Sequence, residues 1–80
     1  MHIDVIGYER VQYKKSNGQD VSGYNIHYTS PIDSNRGKGV ACNSVYVSDT
    51  RIQGKVDLLP ADLSWGRSRN GQAFVDALIF

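Results

Sequence analysis

Eighty residues with nine Lys or Arg against eight Asp or Glu give a formal net charge of +1 and room for one domain at most. The single cysteine, Cys42, excludes an internal disulfide and a cysteine zinc cluster; it suits a reducing compartment and reads as a small core hydrophobe. A chain this short buries only about 60% of its unfolded surface, so a second copy that completes the core is an expected partner.

Seven of the eight acids are Asp, and eight Gly accompany five Tyr, a composition of strands and turns rather than helices. The opening residues lack the basic leader of a signal peptide, and no stretch approaches the roughly 18 apolar residues of a membrane span. The expected location is therefore the cytoplasm. The first predicted strand runs from His2 to Lys15, with Ile3, Val5, Val11 and Tyr13 on one face and Asp4, Arg10, Gln12 and Lys14 on the other. Gly7 interrupts it between Ile6 and Tyr8, as a bulge or bend does, and would let one strand serve two partners.

Asn17-Gly18 then predicts a type I′ hairpin turn into a strand from Val21 to Ser30. Tyr24, Ile26 and Tyr28 share one of its faces; Gly23, Asn25 and His27 share the other. Pro31 to Lys38 is a polar, mobile loop. The third strand, Gly39 to Ser48, is semi-apolar on both faces, which implies cover on both sides.

From Asp49 to Leu63 the chain reads as irregular, with one helical turn. Leu58-Leu59 looks buried, and Pro60 forbids a continuous helix. A fourth strand covers Asp62 to Arg67, Asn70-Gly71 repeats the type I′ signal, and the last strand runs from Gln72 to Phe80. That strand is apolar on both faces and should be central or in a subunit interface. One domain over residues 1–80 is expected, all-β, built as a small five-stranded OB-like Greek-key barrel with two protruding hairpins; an SH3-like barrel is the rival.

Catalytic chemistry finds no support. His2 and His27 are the only histidines, no Cys/His pair has metal-ligand spacing, and the asparagine–glycine pairs are accounted for by hairpins rather than phosphate loops. Neither enzyme activity, cofactor nor metal is expected. Binding is better supported. The first hairpin carries Lys14 and Lys15 at its tip, with Arg10 on the approach and Tyr24 and His27 on the return strand. The second carries Trp65, Arg67, Arg69 and, beyond the turn, Phe74. Cations that neutralise phosphates beside rings that stack on bases are the equipment of a single-stranded nucleic-acid groove. Each part also has a plainer reading: solvated lysines at a turn, core tyrosines, a half-buried tryptophan. The joint occurrence on both hairpins favours binding.

Two segments, Lys15-Ser-Asn-Gly-Gln-Asp-Val-Ser-Gly-Tyr24 and Asn70-Gly-Gln-Ala-Phe-Val-Asp-Ala-Leu78, are similar to the hairpin wing and closing strand of the filamentous-bacteriophage gene-five-type single-stranded DNA-binding proteins. The resemblance implies an OB-fold homodimer that coats single-stranded DNA without strong sequence preference during phage or mobile-element replication. On matching positions it implies contacts from Lys14, Lys15, Tyr24 and Phe74, flanked by Arg67 and Arg69. The wing departs from the pattern at Asp20, and Pro31 to Lys38 has no counterpart. RNA in place of DNA stays open, as does a second reading, a small β-barrel protein-interaction module.

Overall fold

Alternation of apolar and polar residues sets the fold's framework. In the computed structural model, which describes all of residues 1–80, six strands follow in order: β1 (His2–Lys14), β2 (Asp20–Pro31), β3 (Val40–Ser48), β4 (Ile52–Gln53), β5 (Pro60–Arg67) and β6 (Ala73–Ile79). A single 3-10 turn, Asp49–Arg51, links β3 to β4. The chain is all-β, and none of its helices is long and apolar enough to cross a membrane.

The strands form one sheet in the order β3-β2-β1-β5-β6-β4, antiparallel throughout except for β4 beside β6. The expected closed, five-stranded barrel is thus corrected to an open six-stranded sheet. Closure would need β3 to bond to β6. The free side of β6 is instead taken at Leu78 and Ile79 by β4, whose two residues are too few to leave a periodic pattern.

Gly7 does mark a register shift: β1 pairs with β2 as Val5↔Tyr28 and then Gly7↔His27. Only His2, Ile3 and Asp4 pair with β5, so the strand serves one neighbour from Asp4 to Lys14 and a second at its start. Ile3 and Val5 lie inside before the shift; Tyr8 and Arg10 take that face after it, paired with Ile26 and Tyr24. A second shift, between Ser64 and Trp65, breaks the β5–β6 ladder.

The core comprises Ile3, Val5, Ile26, Tyr28, Val47, Ala61, Leu63, Val75 and Leu78. Burial in it pushes the Tyr28 hydroxyl's pKa upward. Several apolar residues expected inside are not. Leu58 and Leu59 are 59% and 48% exposed, Cys42 is exposed, and β3 is covered on one face only towards its far end. The last strand is flanked on its outer side by only two residues of β4, so it is not central along its length.

Both hairpin turns differ from the type I′ expected. That turn needs positive φ at Asn and Gly alike, but only Gly18 (φ 84°) and Gly71 (φ 81°) have it. Gly18 N donates to Lys15 O, and Lys15 N donates to Gln19 O; Gly71, Ser68 and Gln72 repeat the arrangement. These are three-residue loops, a type I turn closed by a left-handed glycine. The asparagine stays right-handed because its side chain is used locally: Asn17 Oδ1 accepts from Gln19 N at 3.0 Å, and Asn70 Oδ1 accepts from Gln72 N and from Ser68 Oγ.

The β1–β2 hairpin extends well past the core. The radius of gyration is 14.0 Å, against about 12 Å for a compact chain of this length, and the molecule measures 46 × 31 × 19 Å.

Candidate nucleic-acid interface

The register fixes where each cationic segment lies. β1 runs away from the β5 junction towards the first hairpin tip. β5 pairs antiparallel with the start of β1, as Asp4↔Pro60 and His2↔Asp62, and then continues past that start to the second tip. The two tips therefore stand at opposite ends of the sheet. Lys14 and Lys15 do not share a channel with Arg67 and Arg69.

At the first tip, Lys14 Nζ stands 4.0 Å from Asp20 Oδ1, and Lys15 is exposed without a carboxylate partner. Tyr13 beside them is 56% exposed. Further in, Arg10 forms a two-pronged bond to Asp49, Nη1 to Oδ1 at 2.7 Å and Nη2 to Oδ2 at 3.0 Å, and also donates to Ser22 Oγ. Its guanidinium lies 4.9 Å from the centre of the Tyr24 ring, which meets Tyr8 edge-on at 5.9 Å. Arg10 holds the Asp49 carboxyl below the usual range, and Asp49 raises the Arg10 pKa in return. The charge of Arg10 is thus compensated. Arg10 and Tyr24 edge a shallow hollow of about 400 Å³ completed by Asp49, Ile52, Gly54, Lys55 and Val56.

His27 lies on the opposite face. Its Nε2 is 2.8 Å from Glu9 Oε1 and its Nδ1 is 2.6 Å from Ser44 Oγ. The carboxylate can only accept, so the neutral ring carries its proton on Nε2 and accepts the Ser44 hydroxyl at Nδ1. The ring is engaged in a cross-strand network rather than offered to a ligand.

The other end of the sheet is different. β2 runs back from the first tip, so the loop after it reaches the same end as the second hairpin. That loop is not slack. Asp33 O accepts from Arg36 N and Gly37 N, Asp33 Oδ1 accepts from Asn35 N, and Ile32 N donates to Gly39 O. It delivers Arg36 and Lys38 to the end that also carries Arg67, Arg69 and the Met1 ammonium group, which donates to Leu63 O. None of those four side chains pairs with a carboxylate, whereas Arg10, Lys14 and Arg51 all do. Arg67 Nη1 donates to Gly71 O, which holds it against its own turn.

Trp65, 46% exposed, belongs to the same hairpin. Phe74 lies across Gly66, its strand partner, and Arg51 sits 6.0 Å from that ring while pairing with Asp76. Of the nine residues expected at the site, the structure gathers Trp65, Arg67, Arg69 and Phe74 on one hairpin. Lys14, Lys15, Arg10 and Tyr24 lie on the other hairpin, and His27 faces away. Arg36 and Lys38 were missed; the legible signal was a pair of cations flanking one glycine in a loop between strands. No group of three His, Cys, Asp or Glu is placed to hold a metal ion.

Comparison of the chain with protein-family models, with curated proteins and with solved structures finds no match.

Proposed function

We propose that the chain binds single-stranded nucleic acid without strong sequence preference, with the phosphates drawn to the end of the sheet that carries Arg36, Lys38, Arg67 and Arg69. The observation behind this reading is that four cations without carboxylate partners lie at one end of the sheet, which also carries a half-exposed indole, on a molecule of net charge +1. With so little overall charge, attraction of a polyanion depends on such local clustering. Phosphates would contact the four cations, and a base would stack on Trp65, a contact worth about 1–3 kcal/mol. Tyr13, Lys14 and Lys15 offer a separate, weaker contact at the far tip.

The strand order β3-β2-β1-β5-β6 also favours an OB-type relationship, an OB barrel being partly open and binding oligonucleotides through its first and last hairpin loops. On this reading the protein coats single-stranded DNA in the cytoplasm during replication of a phage or mobile element. Titration of a fluorescent oligo-thymidine at several salt concentrations tests it. Four neutralised phosphates give a log–log slope of about −2.8. Arg67→Glu with Arg69→Glu should roughly halve that slope, and Lys14→Glu with Lys15→Glu should change it less. No binding at low salt refutes the reading.

A protein-interaction module is the second reading, favoured by one feature. Leu59 O accepts from Val5 N just before β5 begins, which sets exposed Leu58 and Leu59 near the segment of β1 that holds exposed Ile6. Such a patch suits a partner protein. Retention of partner binding by the two double charge reversals would separate this reading from the first.

A further inference from the structure

We propose that two copies of this chain join by antiparallel pairing of their β3 strands, extending one sheet across a twofold axis. The first ground is area. A compact monomer of 8.9 kDa exposes about 4,800 Å². This one exposes 5774 Å², an excess of about 1,000 Å². A standard interface removes about 800 Å² from each partner. The projecting β1–β2 hairpin accounts for part of this surplus, and the whole is of the size that a mate would cover.

The second ground is which edge lacks protection. Five stretches of strand have no backbone partner on one side: the outer side of β4, β5 from Ser64 to Arg67, the outer side of β6, β1 beyond Gly7, and β3. β4 is only two residues long, and the β5 stretch carries Arg67 and the register shift at Ser64/Trp65. The outer side of β6 is capped at its end by β4 and flanked by the Arg51–Asp76 ion pair. The free side of β1 beyond Gly7 bears Glu9, Arg10 and Lys14, with a register shift at its start. Charges and bulges are the devices that deter edge-to-edge pairing. β3 has none of them. Its nine residues hold no charge and no proline, its ladder to β2 is unbroken, and it bonds to no strand on its other side. Val47 at its far end is buried in the core, so the accessible stretch is Val40 to Tyr46.

Geometry narrows the register. A twofold axis normal to the sheet keeps each residue on its own face, so a residue must stand opposite its own copy. Pairing about Asn43, the centre of that stretch, sets Tyr46 against Val40 and Ser44 against Cys42. Val40, 59% exposed in the single chain, then acquires a neighbour. In the joined sheet the two cationic ends point in opposite directions. Dimerisation is therefore independent of nucleic-acid binding.

Sedimentation velocity on the full chain over a wide concentration range gives the test. The expected result is a species of twice 8.9 kDa at high concentration. Cys42→Lys with Asn43→Lys, both exposed positions, should shift the protein to monomer with an unchanged circular dichroism spectrum. Gln12→Lys on the β1 edge should leave the dimer intact. Should the double variant not fold, hydrogen exchange on the unaltered protein serves instead, since alternate β3 amides must gain protection as concentration rises. A monomer at every concentration, or a dimer that survives the double variant, overturns the proposal.

Discussion

Two glycines sit under aromatic rings in this sheet, and alanine at each should have very unequal consequences. At Gly23 an added Cβ would fall inside any allowed distance of Val47 O, 2.7 Å from Tyr46 Oη and 2.9 Å from Tyr46 Cε2. The Tyr46 ring can move. Val47 O cannot, because it lies in the β2–β3 ladder, where Gly23 is paired with Ser48 and Tyr24 with Val47. Relief requires separating two strands next to the buried Val47. Overpacking of this kind costs about 1–3 kcal/mol, and a backbone obstacle belongs at the upper end.

At Gly66 the added Cβ would meet only ring atoms of Phe74, the nearest at 2.7 Å, and Phe74 is exposed enough to swing away. Removing a glycine also reduces the freedom of the unfolded chain, which offsets the disturbance by about 0.4–1 kcal/mol. Thermal unfolding followed by circular dichroism should place Gly23→Ala about 10 °C or more below the parent protein, and Gly66→Ala within about 5 °C of it. Equal melting temperatures for the two variants, or a larger loss at Gly66, would refute this account of β2–β3 packing.

Leu63, 1% exposed at the centre of the core, should cost about 2–5 kcal/mol when cut to alanine; urea unfolding should show this as a large fall in midpoint. The Asp49 carboxyl titrates lower in the folded protein than in the unfolded chain, so its pair with Arg10 stabilises above the ordinary Asp value of about 3.9 and is lost as pH falls through the depressed one. Asp49→Asn should therefore be less stable than the parent near neutral pH and converge with it in acid. Tyr28 has the opposite sign: its pKa is raised in the fold, so stability present below about pH 10 declines as pH climbs above it. Tyr28→Phe should flatten that alkaline decline, as read from urea midpoints at successive pH values.

Strand content was legible in the sequence because alternation and turn chemistry are local. Ile3, Val5, Ile26 and Tyr28 fell on the faces their spacing predicts, and Gly7 broke the register where expected. The two asparagine–glycine pairs located both hairpins but not their turn type, which depended on whether the asparagine side chain bonds to the residue two ahead. Closure was not legible. It rests on pairing between β3 and β6, remote in sequence, and on a two-residue β4 too short to leave a pattern.

Leu58 and Leu59 misled because hydropathy alone does not say whether a loop turns its side chains in or out. The candidate site was legible in composition but not in arrangement. Trp65, Arg67 and Arg69 share a hairpin that could be read directly. That Arg36 and Lys38 lie at the same end of the sheet follows only from the β1–β2 and β1–β5 registers, and the partnership of Arg10 with Asp49 spans 39 residues.

Backbone amide chemical-shift mapping during titration with oligo-thymidine would locate the bound strand residue by residue. The largest changes should fall on residues 33–38 and 65–71, together with the indole N–H of Trp65, while residues 15–19 move little. Changes concentrated on the first hairpin tip, or none at saturating oligonucleotide, would contradict a basic end that captures nucleic acid.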